Sequence, residues 1–358
     1  MPGKRILIYR LGSLGDTVIA LPCFHQIRQC FPDAEITLLT NRPIVSKAAP
    51  VESVLDANYF FNHILSYPVG TRNLKALVEL VRQIRTHKID TVINLTAARS
   101  RMSVHRDYFF FKVAGVRRFI GFPHLTEDFE VRVDPVTGYG EWEAYRLSRR
   151  IKSLGLIDLN DNKYWDLRLT EDEYKIADSL LDNLSYSDRF LAISMGTKNQ
   201  INDWGITNWS ILLSRLKNKL KNWKLVTIGA MEDRAAAEKL MGVWDNNGFN
   251  LCGQTKPRVS AAVLKKAEIY IGHDSGPMHL AACVGTPCVG IFSSRSIAGQ
   301  WFPRGNFNKI LYHQVECSNC GLEVCIEQGK KCILSITIDE VENAAMHLIN
   351  TNTFRKHT

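Results

Sequence analysis

Arg5-Ile-Leu-Ile-Tyr-Arg10-Leu-Gly12-Ser13-Leu-Gly15-Asp16 is an apolar run that ends in two glycines and a carboxylate. The apolar residues predict a short buried strand over Arg5–Arg10. The glycines let the backbone turn tightly and approach a ligand. From Asp16 to Arg28 the pattern predicts a helix, interrupted or restarted at Pro22. The same grammar continues outward. Glu35–Thr40, Ile89–Leu95 and Arg118–Gly121 read as strands. Leu74–Arg85 has helical spacing of apolar residues, and Tyr108–Ala114 reads as a helix end stopped by Gly115. Strand and helix in alternation predict an α/β fold with a parallel sheet covered by helices.

The second half repeats the pattern. Phe190–Ser194, Lys224–Ile228, Glu268–Gly272 and Cys288–Phe292 are expected strands. Trp209–Lys221, Asp233–Met241, Val259–Ala267 and Met278–Val284 are the helices between them. The expected division is a first domain over 1–165, a linker region over 166–187 with one helix near Glu171–Leu184, a second domain over 188–336, and a C-terminal helix and tail over 337–358. Thr337-Ile-Asp-Glu340 has the spacing of a capping box before that last helix.

Of the 358 residues, 45% are hydrophobic and 23% charged, as in ordinary globular proteins. No apolar run approaches the roughly 18 residues of a membrane span, and the first residues lack the apolar core of a signal peptide. A cytoplasmic location is therefore expected. The net charge of +9 is uneven: residues 1–165 carry 23 Lys+Arg against 16 Asp+Glu, the remainder 22 against 20. A basic first half points to an acidic partner such as a phosphorylated glycan or an anionic lipid surface, unless it is simply a solvated basic face. Nucleic acid is not the expected partner, because no recognised module or aromatic interleaving is present. Nine cysteines, an odd count, argue against a disulfide framework.

In doubly wound sheets, ligands bind beyond the carboxyl ends of the strands. The loop Arg10–Thr17 holds Gly12, Ser13, Gly15 and Asp16, with Asp16 either a helix cap or a group facing a ligand. Gly12-x-x-Gly15 is not the dinucleotide fingerprint, and the next strand ends in Thr40-Asn41 without a ribose-binding acid, which counts against a dehydrogenase. A second loop, Gly272-His-Asp274-Ser275-Gly276-Pro277-Met278-His279, runs from a strand directly into a helix. Its backbone N–H groups and the Ser275 hydroxyl suit a diphosphate, the alternative being a plain turn; His279 is either a contact to that ligand or a packed helix residue.

Together, Arg10-x-Gly-Ser-Leu-Gly-Asp16 and Asp274-Ser-Gly-Pro-Met-His-Leu-Ala-Ala282 resemble the two motifs of glycosyltransferase family 9, the lipopolysaccharide heptosyltransferases. The resemblance covers nearly the whole chain. It implies the GT-B fold, two Rossmann-like doubly wound domains facing a central cleft, with the acceptor on the first and the nucleotide-diphosphate sugar on the second. It also implies an inverting glycosyltransferase that needs no metal or other cofactor for catalysis, and transfer of a sugar, heptose from ADP-heptose, onto a lipopolysaccharide core or related envelope glycan. By the same resemblance Asp16 is the general base, and Asp274, Ser275, Gly276 and His279 contact the donor. Ser194-Met-Gly-Thr197-Lys198 resembles the phosphate-contacting loop, Glu232 and Asp233 lie in the segment that reads the ribose, and Thr255 lies in the one bordering the base. Where the family usually carries Lys two residues before Trp204, this chain has Asn202; Lys198 is expected to replace that charge, and a lysine restored at 202 to be tolerated.

Two further features stand outside the motifs. Cys317, Cys320, Cys325 and Cys332 fall within sixteen residues, and four thiolates suit a structural zinc or iron, the alternative being a reduced structural cluster. Arg99, Arg101, Arg106, Lys112, Arg117 and Arg118 form a basic stretch suited to an anionic glycan or to the headgroups of the inner membrane, unless it is a solvated face. The competing functions are a nucleotide-sugar epimerase of similar architecture and a non-catalytic sugar-nucleotide binder.

Overall fold

The strand expected from the opening run is β1 (Arg5–Tyr9), with its last four residues buried. It is followed by α1 (Leu14–Ile19), α2 (Leu21–Cys30), β2 (Glu35–Asn41), β3 (His63–Tyr67), α3 (Leu74–Thr86), β4 (Thr91–Asn94), α4 (Arg101–Val113), β5 (Arg118–Ile120) and α5 (Glu143–Arg150). The computed structural model describes residues 4–42, 49–68, 71, 73–122, 130–182, 184 and 188–355, and the chain divides after Leu167 into two units. In the first unit all strands are parallel, in the order β3-β2-β1-β4-β5. The order reverses between β1 and β4, so the loops leaving those two strands flank the ligand-binding edge. Pro22 sits in the first turn of α2, where its missing N–H is harmless, and the break between α1 and α2 falls at Ala20. Leu7, Val92, Leu80, Ile84, Val104 and Phe111 close one face of the sheet. Fully burying each such side chain contributes about 1.5–3 kcal/mol.

The second unit contains α6 (Glu171–Leu180), β6 (Phe190–Ser194), α7 (Ile206–Lys219), β7 (Lys224–Thr227), α8 (Arg234–Val243), β8 (Gly248–Asn250), α9 (Pro257–Leu264), β9 (Ile269–His273), α10 (Gly276–Cys283), β10 (Cys288–Phe292), β11 (Lys309–Tyr312), α11 (Lys331–Leu334) and α12 (Ile338–Arg355). Its parallel order is β11-β10-β9-β6-β7-β8, and the switch lies between β6 and β9. Ser194 pairs in register with Gly272, so Met195–Lys198 and His273–Gly276 leave neighbouring strands at the same level.

The segment read as a linker contributes a packed helix to the second unit. Thr170 and Glu173 form the capping box of α6, and Glu173 also receives the Arg258 guanidinium at the start of α9. Residues 183 and 185–187 of that segment lie outside the described residues. The expected capping box of the last helix is present, with Thr337 N–H donating to Glu340 and Glu340 N–H returning to Thr337 Oγ1. The helix it starts is longer than expected, and it buries Val341, Ala345 and Leu348 in the core of the second unit. No helix among the described residues is long and apolar enough to cross a membrane.

Candidate active site

In the first unit the site is the loop between β1 and α1. Gly12 has φ +132°, and a Cβ there would stand 2.7 Å from the Asp16 side chain, so only glycine fits. Its N–H donates to Asn41 Oδ1 at the end of β2. The helix cap is Ser13, not Asp16: Asp16 is the third helical residue, and its Oδ2 accepts from Ser13 N–H at 2.8 Å and from Ser13 Oγ at 2.9 Å. Gly15 is buried inside α1. Asp16 keeps a quarter of its side chain exposed. Two hydrogen bonds thus hold one oxygen and leave the other for chemistry.

Behind Asp16 stands a layer of arginines that the sequence reading missed. Arg10 is fully buried; it donates to the carbonyls of Leu95 and Asp16, and Nη2 lies 3.9 Å from Asp16 Oδ1. Arg146 makes a two-pronged pair with buried Glu143 and donates to Thr96 O. Arg150 donates to Thr96 O and Gly121 O. Burial pulls the Arg150 guanidinium down to about 9, and Arg146 beside it pushes the same way. These side chains satisfy carbonyls at the strand ends, which would otherwise be buried without partners. They also place more positive than negative charge beneath the Asp16 carboxylate.

In the second unit the two switch-point loops carry the remaining expected residues. Ser275 caps α10 in an extended conformation without a side-chain cap bond, Gly276 is the first helical residue, and Pro277 lies in the first turn. Ser275 Oγ is buried and unpaired. The Tyr270 hydroxyl lies near Ser275 and near Ser194, but neither it nor Ser275 Oγ is hydrogen-bonded. A buried hydroxyl at a helix N-terminus that accepts from no helical N–H is a ready donor to an oxyanion. His279 is buried, and its Nε2 is 3.8 Å from Asp274 Oδ1; the ring packs and orients that carboxylate in one arrangement.

Lys198 is exposed and makes no ion pair among the described residues, and neighbouring Thr197 donates to Asn199 O at 2.9 Å. Asp233 is committed to the backbone. Its Oδ2 accepts from Ala230 N–H at 2.9 Å, and its carboxylate fills the space over Gly196 and Gly229 that a Cβ would need. Glu232 is exposed beside it. The Thr255 hydroxyl is hydrogen-bonded to Ser260 Oγ at 2.7 Å.

Geometry bears on three further expectations. Asn202 is 4% exposed and accepts from Ser293 Oγ, tying the loop after β6 to the end of β10; a lysine there would bring a charge into that buried link, so the expected effect of restoring it becomes a loss of stability. Among the described residues no three of the sulfurs of Cys317, Cys320, Cys325 and Cys332 lie within 4.8 Å of one another. The segment that carries them is held by other partners. Its backbone bonds to the active-site loops, with Ile201 N–H donating to Glu323 O, Cys325 N–H to Gln200 Oε1, and Asn319 N–H to Ser294 O. Arg99, taken as part of a basic face, is bound internally by Asp107 and the Tyr9 hydroxyl.

His273 was also missed. It is fully buried at the end of β9, and its Nε2 accepts from Trp204 N–H at 3.2 Å. Burial pushes its pKa down to about 4, with Asp203 opposing, so the ring is neutral at pH 7. Lys330, at φ +57°, holds Asp203 through Nζ at 2.8 Å from its carbonyl. No sequence motif marks either residue; both serve to hold the Lys198 loop.

Two parallel α/β units, one with an oriented carboxylate after its first strand and one with an anion-seeking helix start at its switch point, belong to the GT-B class of fold. The family model for glycosyltransferase family 9 (heptosyltransferase) matches residues 145–331. The lipopolysaccharide core heptosyltransferase OpsX of Haemophilus influenzae is 23% identical over 297 residues, covering 81% of this chain and 79% of that protein. A glycosyl transferase family 9 structure from Veillonella parvula superposes with a TM-score of 0.73 at 18% identity, over 97% of this chain and 98% of that one. The Escherichia coli heptosyltransferase WaaC with ADP-2-deoxy-2-fluoro heptose superposes with a TM-score of 0.61 at 14% identity, over 96% and 99%. The chain belongs to glycosyltransferase family 9 and is a glycosyltransferase.

Proposed function

We propose that this glycosyltransferase moves heptose from ADP-heptose onto a lipopolysaccharide core or a related envelope glycan, with inversion and without a metal ion. The observation that carries the donor assignment is the buried, unpaired Ser275 hydroxyl at the start of α10. The relatives' activities supply the sugar: one is a lipopolysaccharide core heptosyltransferase and another was solved with an ADP-heptose analogue. The family match does not favour the epimerase alternative.

In the reaction, Asp16 takes the proton of an acceptor hydroxyl positioned by Gly12 and Ser13. The oxygen bonds to the anomeric carbon on the face opposite the diphosphate. The bond from that carbon to the diphosphate oxygen breaks, and ADP leaves with the electron pair. A positioned base contributes roughly 10²–10⁴ in rate. The α10 N–H groups, Ser275 and Lys198 take up the charge that develops on the leaving group. Glu232 binds the ribose, Thr255 borders the base, and Asp274 with His279 holds the sugar.

A peripheral position at the cytoplasmic face of the inner membrane is supported by α4. Met102, Phe109 and Val113 are exposed along one stripe, 83%, 67% and 51% respectively, among Arg101, Arg106 and Lys112. An apolar stripe edged by basic residues suits an anionic headgroup layer.

Ser275→Ala tests the donor site. Loss of a hydrogen bond to a charged group costs about 1.5–3 kcal/mol, so ADP should bind roughly 10- to 100-fold more weakly by calorimetry. Wild-type affinity for ADP would remove α10 from the phosphate site.

A further inference from the structure

At the opposite edge of the first sheet, where β2 and β3 begin, three metal-type ligands meet. Glu35 is the first residue of β2, His63 the first of β3, and His87 the C-cap of α3. One ligand atom from each lies within 4.8 Å of the other two. His63 Nε2 is 2.8 Å from Glu35 Oε1, and the two imidazole centroids are 4.9 Å apart. We infer that Glu35, His63 and His87 form a surface site for a zinc-class divalent cation, which clips β2, β3 and α3 together.

The scaffold under the three residues is rigid. Asn62, immediately before His63, exchanges two hydrogen bonds with Ile36, immediately after Glu35. His87 is fixed by its N–H to Gln83 O and by Arg5, which donates to its carbonyl at 3.1 Å. Arg5 also holds the second carboxylate oxygen, with Nη2 3.3 Å from Glu35 Oε2, and leaves Oε1 for the metal. That is the usual outer partner of a ligating carboxylate, here a cationic one that reduces affinity while it orients. The α3 C-terminus adds the negative end of its dipole beneath the cation. Donors around a tetrahedral zinc lie roughly 3.3 Å apart, given Zn–N and Zn–O lengths of about 2.0–2.1 Å. The His63 side chain is 42% exposed and free to swing through the remaining gap. Two imidazoles and one carboxylate favour Zn²⁺, Co²⁺, Ni²⁺ or Cu²⁺ over Mg²⁺ or Ca²⁺, and leave a fourth position for water. The site lies at the amino ends of the strands, away from the Asp16 loop at their carboxyl ends, so its role is in holding the fold.

The test is a Co²⁺ and Zn²⁺ titration of the full chain, beside Glu35→Gln, His63→Gln and His87→Gln. The expected result is one equivalent of Co²⁺ whose spectrum lacks sulfur-to-cobalt charge transfer, which separates it from binding at cysteine. Each substitution should weaken that equivalent at least roughly 10- to 100-fold, Zn²⁺ should raise the melting temperature of the wild type alone, and Mg²⁺ should do neither. In the unmutated protein, histidine ring NMR signals should change at His63 and His87 on Zn²⁺ addition, a readout independent of how the variants fold. Binding that persists in the His63→Gln/His87→Gln double variant, or ring signals at both positions that ignore excess Zn²⁺, overturns the assignment.

Discussion

Replacing Asp16 with Asn changes one atom's charge and little shape, and the structure sets two separate consequences. The first is on stability. Asn retains an acceptor for Ser13 N–H and Oγ, so the capping box is weakened rather than lost. The removed charge faces Arg10 at 3.9 Å. At an effective dielectric near 20, Coulomb's law gives roughly 4 kcal/mol for that separation. The quarter exposure of Asp16 and solvent screening reduce this to about 1–2 kcal/mol. For a unit of this size, that is a fall in melting temperature of roughly 2–8 °C. The second consequence is catalytic: losing the base should lower kcat by about 10²–10⁴. ADP affinity should not change, because the diphosphate site belongs to the second unit. Calorimetry with ADP, thermal melts and a transfer assay on one preparation separate the three quantities. A variant that melts earlier yet transfers sugar at the wild-type rate would make Asp16 a capping residue and nothing more.

Lys198→Ala should lower kcat/KM by roughly one to three orders of magnitude, as for loss of one electrostatic donor. Its melting temperature should hold, since the side chain is exposed; steady-state kinetics and melts check both. Asn202→Lys should cost about 2–4 kcal/mol in denaturant unfolding, because it breaks the Ser293 bond and buries an unpaired charge. His273 makes the protein acid-sensitive. Its folded pKa of about 4 lies below the ordinary 6.5, so between those values the unfolded chain binds the extra proton and stability falls as pH falls. The full effect is about 3 kcal/mol at or below pH 4, and His273→Gln should flatten that part of the stability-against-pH curve.

The motif-bearing loops were legible because strand, glycine and helix follow one another in the chain. Arg5–Asp16 and Gly272–His279 each announce a turn at a strand's carboxyl end, and local chemistry suffices to read it. The rest depends on contacts remote in sequence. Glu143–Arg150 is a polar stretch, and Arg146 and Arg150 turn inward because Thr96 and Gly121 leave carbonyls for them. His273 belongs to a strand, and nothing along the chain shows that its partner is Trp204. Gly248–Asn250 is too short and too weakly apolar to read as a strand, yet it pairs with β7. Glu35, His63 and His87, spread over more than fifty residues, are likewise brought together only by the sheet.

The central claim is that this chain transfers heptose from ADP-heptose with inversion, using Asp16 and no metal. It is tested most directly by incubating the protein and ADP-heptose with a heptose-deficient lipopolysaccharide core in excess EDTA. Mass spectrometry follows the acceptor, and NMR assigns the anomeric configuration of the product. The account predicts an acceptor heavier by one heptosyl residue, with the anomeric configuration opposite to that of the donor, and equal yield with and without the chelator. Free heptose and ADP with no acceptor gain, an epimerised donor, a retained configuration, or transfer that EDTA abolishes and Mg²⁺ restores would each contradict it.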